Sequence, residues 1–212
     1  MDLSGFATSF SSPEPRLLSE LRKTTWQRTR HGRLMSDPQT GRCLALLSSL
    51  IQPLIILEIG TFSGYGTLCL LEGLREDGVL HTIERNDELF DLQDKFWVKA
   101  EGTDRIHRHH ADAMDVLSGW DVKEQGHINL AYVDADKQGV VDQFEALWPK
   151  MSDGGVLVFD NTWWSGTLHG PEPARGPKAD ALRALNARLR DGSKWQSVVL
   201  PVGDGLTVVR KQ

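Results

Sequence analysis

The sequence predicts a single α/β domain, with a mostly parallel seven-stranded sheet, helices on both faces and a C-terminal antiparallel hairpin. Three observations predict it. Leu54–Gly60 is an apolar strand running into the turn Gly60-Thr-Phe-Ser-Gly64 and then a helix, a βα unit. Leu130–Val133 and Val156–Phe159 are short apolar runs that each end in carboxylates, as buried parallel strands do at their exposed rim. Trp195–Val202 and Leu206–Lys211 flank Gly203-Asp-Gly205, which reads as a hairpin turn.

The totals agree with one domain over residues 1–212. A chain of 212 residues is long enough for one full α/β core. A net charge of -5 gives no general attraction to nucleic acid or anionic membrane. No apolar run approaches the roughly 20 residues of a membrane span, and the first residues lack the basic-then-apolar order of a secretion signal. Cys43 and Cys69 fall on predicted helices with no framework spacing and read as reduced thiols of a cytoplasmic protein. Seven tryptophans are many for this length and are candidates for a cleft lining.

Residues 1–12 are Ser-rich and expected to be flexible, and 13–52 form a helical cap ahead of the first strand. Within that cap, Leu17, Leu18, Leu21 and Trp26 have helical spacing. The basic segment Arg22–Arg33 reads as a solvated face, with an anion-binding edge or lid as the sharper alternative. Ser36-Asp-Pro-Gln starts a helix with Pro38 in the first turn. Cys43, Leu46, Leu47, Leu50 and Ile51 then mark a core-facing stripe, and Pro53 ends the helix. The second strand is Gly78–Glu84. Asp87–Ala100 is a helix with Leu89, Phe90, Leu92, Phe96 and Val98 largely buried. Arg105–His110 is a short strand on which His109 and His110 point to opposite faces, against a shared metal. A helical segment follows from Asp112 to Leu117. The helix Gln138–Lys150 turns Val140, Phe144, Leu147 and Met151 to one side. A Gly/Pro-rich loop, 165–178, precedes the helix Ala179–Leu189.

Ligands of open α/β sheets sit at the carboxyl ends of the strands. Asp134, Asp136, Asp160 and Asn161 should therefore converge at one rim, where a hard divalent cation with oxygen ligands would relieve their repulsion. Helix capping is the plainer role for an Asp after a strand, but it does not account for both strand ends together. The first turn lacks the second glycine of a dinucleotide-binding loop, which disfavours a pyrophosphate cofactor. Glu58, just ahead of that turn, suits a cationic ligand group. Glu84 lies about 20 residues on, where an acidic side chain accepts from a ribose diol. Together these favour a nucleoside ligand without pyrophosphate. With the closing hairpin they point to the Rossmann-like class I methyltransferase fold.

The chain also resembles the metal- and S-adenosylmethionine-dependent O-methyltransferases of the catechol and caffeoyl-CoA type, in their small bacterial form. The matching segments are Leu57-Glu-Ile-Gly-Thr-Phe-Ser-Gly-Tyr65, Asp134-Ala-Asp-Lys137, Gly154–Gly166 and Leu200-Pro-Val-Gly-Asp-Gly205. The resemblance implies a metal held by Asp134, Asp160 and Asn161, with Mg²⁺ favoured and Mn²⁺ or Ca²⁺ possible. Lys137 matches the family's general base. Ser36, Glu58, Gly60, Thr61, Gly66, Glu84, Ala113 and Asp136 match positions that contact S-adenosylmethionine. Gly66 stands where the family usually has Ser, so backbone N–H groups at the helix start would take that hydroxyl's place. The implied reaction is methyl transfer to one hydroxyl of an ortho-dihydroxy, catechol-like phenolic acceptor, by a homodimer without membrane or nucleic-acid partners. Two alternatives stand beside it. One is the same chemistry on a hydroxylated nucleoside in transfer RNA. The other is a non-catalytic cofactor-binding protein.

Overall fold

The computed structural model describes residues 3–190 and 192–212. Its sheet has seven strands: β1 (Ile55–Ile59), β2 (Val79–Glu84), β3 (Ile106–His110), β4 (Ile128–Val133), β5 (Met151–Phe159), β6 (Trp195–Leu200) and β7 (Leu206–Lys211). They lie in the order β3-β2-β1-β4-β5-β7-β6. The first five are parallel, and β7 runs antiparallel to both β5 and β6. This is the Rossmann-like methyltransferase architecture that the strand and hairpin signals predict. The strand order reverses between β1 and β4, and the crevice opens at that switch point.

Nine α-helices are described: α1 (Leu3–Phe10), α2 (Arg16–Arg28), α3 (Pro38–Ile51), α4 (Tyr65–Leu71), α5 (Phe90–Trp97), α6 (Ala113–Gly119), α7 (Val122–Gln125), α8 (Val140–Leu147) and α9 (Pro177–Arg190). Side chains from α2 to α5, including Leu21, Leu44, Tyr65 and Phe96, bury one face of the sheet against Ile56, Leu80, Leu130 and Val158. Side chains from α6, α8 and α9, including Leu117, Phe144, Leu182 and Leu185, bury the other against Leu57, Ile59, Val133 and Phe159. Both faces of a parallel sheet must be covered, which is why β1, Leu130–Val133 of β4 and Val156–Phe159 of β5 are almost continuously apolar.

Three local readings are corrected. Residues 3–10 form a helix, which the Ser-rich composition did not predict; Met1 and Asp2, also expected to be flexible, lie outside the described residues. Val98 is 78% exposed: α5 ends at Trp97, and Val98 follows it on the outer side while Phe96 and Trp97 fill the core. On α3 the stripe is only half right: Cys43, Leu47 and Ile51 pack at the edge of the core, but Leu46 and Leu50 are 62% and 74% exposed, and the fully buried positions are Thr40, Gly41, Leu44, Ala45 and Ser48. Close approach of α3 to α4 decides that rotation. A Cβ on Gly41 would lie 2.6 Å from the Tyr65 ring, one on Gly73 would lie 2.1 Å from the Ser48 backbone, and Ser48 Oγ donates to Leu70 O at 2.6 Å. Small residues let the two backbones meet, and Leu46 and Leu50 are left outside.

Candidate active site

Alternation along the strands places the site. Glu58 of β1, Tyr132 of β4 and Val158 of β5 are side by side in register. Side chains two residues on share their face, so Gly60, Asp134 and Asp160 come to the rim together. The ladder carries one step past each strand: Asp134 N donates to Ile59 O at 2.8 Å and Asp160 N to Val133 O at 3.1 Å. The carboxylates are thus held by backbone bonds at the mouth of a cavity of about 1290 Å³.

Ser36, Gly60, Glu84, Ala113, Asp134, Asp136, Lys137, Asp160 and Asn161 all line that cavity. Glu58, Thr61 and Gly66 line a small chamber beside it, which shares Ser36, Gly60 and Asp134 with the main cavity. Twelve residues drawn from across the chain by motif and resemblance are therefore brought into one place or its annex.

Gly60 has φ +98°, and a Cβ there would sit 2.5 Å from Asp134 O, so only glycine fits where the β1 turn passes over the end of β4. Glu84 is anchored by two backbone donors, Phe62 N at 2.8 Å and Asn86 N at 2.9 Å. A carboxylate has further lone pairs beyond these, and they remain for a ligand in the cavity. Lys137 Nζ donates to Asp134 Oδ1 at 2.8 Å. Asp160 is 5% exposed; its Oδ1 accepts from Asn161 N at 2.7 Å and its Oδ2 from the Tyr132 hydroxyl at 2.6 Å. Burial, reinforced by the neighbouring Asp134 carboxylate, pushes the Asp160 carboxyl up to about 7. Asn161 takes the left-handed conformation at φ 58°, which Asn tolerates better than most residues. Asp136 pairs with Lys178 of α9 at 2.9 Å, and that ion pair holds its carboxyl below the usual range.

Glu58 lies beneath the turn, almost fully buried. Its Oε2 accepts from the hydroxyls of Thr67 and Thr82, the latter at 2.6 Å, while Oε1 is buried without a partner, as is Ser63 Oγ in the same chamber. Burial pushes the Glu58 carboxyl up to about 8 despite those two donors. Gly66 takes its meaning from this carboxyl: a Cβ at position 66 would stand 2.7 Å from Glu58 Oε1.

Sequence reasoning missed several wall residues. His31 and Arg33, at the end of the basic segment, reach the cavity, as do Lys178, Gln143 and Asp204. Of the seven tryptophans only Trp163 and Trp164 line it. Their loop is pinned to the hairpin turn by Trp163 N donating to Asp204 O at 3.1 Å and Thr162 N to Gly205 O at 3.0 Å. The most consequential omission is Tyr132, whose ring reads as core but whose hydroxyl reaches both carboxylates. Its place two residues before Asp134 on one strand was the available signal.

A crevice of about 1290 Å³ at the switch point, with carboxylates and a lysine in its lining, leaves the reaction open on geometry alone. The O-methyltransferase family model matches residues 8–212. The chain belongs to the O-methyltransferase family. It is 31% identical to caffeoyl-CoA O-methyltransferase 2 of Zea mays, over 96% of this chain and 80% of that one. It is 30% identical to tricin synthase 2 of Oryza sativa subsp. japonica, over 93% and 70% respectively. Among solved structures, the O-methyltransferase TomG of Streptomyces achromogenes, involved in tomaymycin synthesis and in complex with SAM, superposes with a TM-score of 0.86 at 25% identity, covering 99% of this chain and 96% of that one. The SAH-bound methyltransferase PaMTH1 of Podospora anserina matches with the same score and identity, covering 99% and 94%. The protein is thus an enzyme, an O-methyltransferase, as the motif resemblance implied. The large cavity is its candidate active site.

Proposed function

We propose that this methyltransferase transfers the methyl group of S-adenosylmethionine to one hydroxyl of a catechol-like acceptor, with a divalent metal, Mg²⁺ first, held by Asp134, Asp160 and Asn161. The observation that carries the reading is the cluster at the ends of β4 and β5, where Lys137 lies 2.8 Å from Asp134 and Asp160 opens on the same cavity. Among the described residues no group of three His, Cys, Asp or Glu side chains is arranged to hold a metal ion. The donor set is therefore two carboxylates and one amide, all oxygen, which suits a hard cation that keeps water or substrate oxygens as its other ligands. A crowded pair of carboxylates, one with its pKa raised by burial and by the other, fits a site completed by positive charge.

When bound, the cation supplies the charge that orients two adjacent acceptor oxygens and favours ionisation of the one to be methylated. The chain's own residues do the rest. With a cation on Asp134 in place of its ion pair, Lys137 would be released in its neutral form and would accept the hydroxyl proton. Glu84 holds the ribose hydroxyls and Ala113 borders the adenine. Gly60, Thr61 and Ser36 border the amino-acid end, with the unpartnered Glu58 Oε1 behind them. Trp163 and Trp164 form an aromatic wall beside the carboxylates. The exposed Leu46 and Leu50 of α3 are apolar surface that a second copy would cover, in keeping with a homodimer. No helix among the described residues is long and apolar enough to cross a membrane.

The test is turnover with S-adenosylmethionine and a panel of ortho-dihydroxy aromatics, with Mg²⁺ or EDTA, product being detected by mass. Methylated product that appears with Mg²⁺ and vanishes with EDTA is the expected result. Product insensitive to EDTA removes the metal. No product on any catechol moves the acceptor to another hydroxyl compound, such as a transfer RNA nucleoside reached past His31 and Arg33.

A further inference from the structure

The Tyr132 ring is 1% exposed and packs in the core face covered by α2 to α5. Its hydroxyl emerges between three polar groups. It donates to Asp160 Oδ2 at 2.6 Å, approaches Asp134 Oδ2 at 3.4 Å, and lies 3.1 Å from Ser36 Oγ. A phenol has one proton. With that proton on the Asp160 carboxylate, the Ser36 hydroxyl is the donor to Tyr132. The result is a directed relay from Ser36 to Tyr132 to Asp160.

The two ends of this relay belong to different parts of the fold. Ser36 stands in the cap, just before the Asp37 side chain that caps α3, and faces both the main cavity and its annex. Asp160 ends β5 in the sheet. Its Oδ1 is fixed by Asn161 N, so the tilt of the carboxylate depends on what holds Oδ2, and that is Tyr132. If the cap segment lifts, Tyr132 loses its donor and a buried hydroxyl is left under-satisfied. If Asp160 turns, the relay loses its short bond and keeps only the longer contact to Asp134 Oδ2 at 3.4 Å. Each end is more stable when the other is in place.

We propose that Tyr132 is a positioning residue that sets the Asp160 carboxylate and the Ser36 segment together, so that a divalent cation on the carboxylates and S-adenosylmethionine against Ser36 each strengthen the binding of the other. The coupling rests on the proposed metal and cofactor sites; the residue that transmits it is read from the hydrogen bonds. Coupling through one shared element is reciprocal and is measured as a ratio of affinities.

The experiment is calorimetric. Binding of S-adenosylmethionine is titrated without acceptor, with and without Mg²⁺, in the wild type, Tyr132→Phe and Ser36→Ala, and Mg²⁺ alone is titrated into each. In the wild type Mg²⁺ should tighten cofactor binding at least fivefold, about 1 kcal/mol. Both variants should bring that ratio close to one, the serine variant without touching the core. A wild-type ratio of one with both ligands bound, or an undiminished ratio in both variants, overturns the proposal while leaving the function intact. No Mg²⁺ binding by the wild type overturns the metal reading and the coupling with it.

Discussion

Lys137 Nζ lies 2.8 Å from Asp134 Oδ1, three residues on in the chain and with both side chains largely buried at 13% and 15% exposure. The turn after β4 folds back at once, and a base and a carboxylate end up on the same cavity wall. Lys137→Ala should lower the single-turnover rate about 10²–10⁴-fold, the usual weight of a positioned base. S-adenosylmethionine affinity should change little. A loss under tenfold would mean that the acceptor ionises without this lysine.

Asp160→Ala should abolish Mg²⁺-stimulated methyl transfer, because it removes one of only two carboxylates at the proposed cation site. A Mg²⁺ titration of turnover checks it, and full activity with normal Mg²⁺ dependence would sink the assignment of Asp160.

Glu84→Ala should weaken S-adenosylmethionine binding by tenfold or more, about 1.4 kcal/mol. It removes the proposed ribose acceptor and also leaves Phe62 N and Asn86 N without theirs. Calorimetric titration reads the affinity directly, and an unchanged Kd would remove the ribose role.

Gly66→Ser should destabilise the protein by about 1–3 kcal/mol, as overpacking does in a tight core. The new Cβ meets Glu58 Oε1 at 2.7 Å, and Thr67 and Thr82 hold that carboxyl where it is. Urea unfolding is the measurement. A variant at least as stable as the parent would show that Glu58 moves freely.

Stability should also fall in mild acid through His81. Its ring is partly buried against Trp120, with His107 and His109 of β3 on the same sheet face and His109 Nε2 at 2.9 Å. Burial, then those two histidines, lowers its pKa to about 4 from 6.5. Between these values the unfolded chain binds the proton and the folded one does not. The contribution is therefore complete above about pH 6.5 and is lost as pH falls toward 4, with a slope of at most about 1.4 kcal/mol per pH unit. His81→Leu should flatten the urea midpoint over that window, and an unaltered pH profile would exclude His81 as its source.

How much of this was legible in the sequence differs by element. Strands β1, β4 and β5 were, since buried parallel strands are apolar where both faces are covered and turn polar at the rim, and β6 and β7 were from the Gly203-Asp-Gly205 turn between them. The site carboxylates were for the same reason: an Asp that ends an apolar run in an open α/β sheet has only the carboxyl edge to occupy. Gly60 was legible as the glycine that opens a strand-to-helix turn, but that this turn crosses the end of β4 was not.

Packing decided the rest. Leucine spacing on α3 named a stripe, but helices joined by small residues at close approach bury Gly41, Ala45 and Ser48 and leave Leu46 and Leu50 outside. Tyr132 reads as one more core aromatic, because a strand pattern gives the face of a ring and not the reach of its hydroxyl. The sequence alone determined the strands, the rim and the kinds of group gathered there, because these follow from periodicities local to each segment. Only the tertiary structure decided that Ser36, Tyr132 and Asp160 share one chain of hydrogen bonds and that Glu58 stands in the space at Gly66. Those contacts join residues far apart in the chain at separations set by packing, which no local pattern encodes.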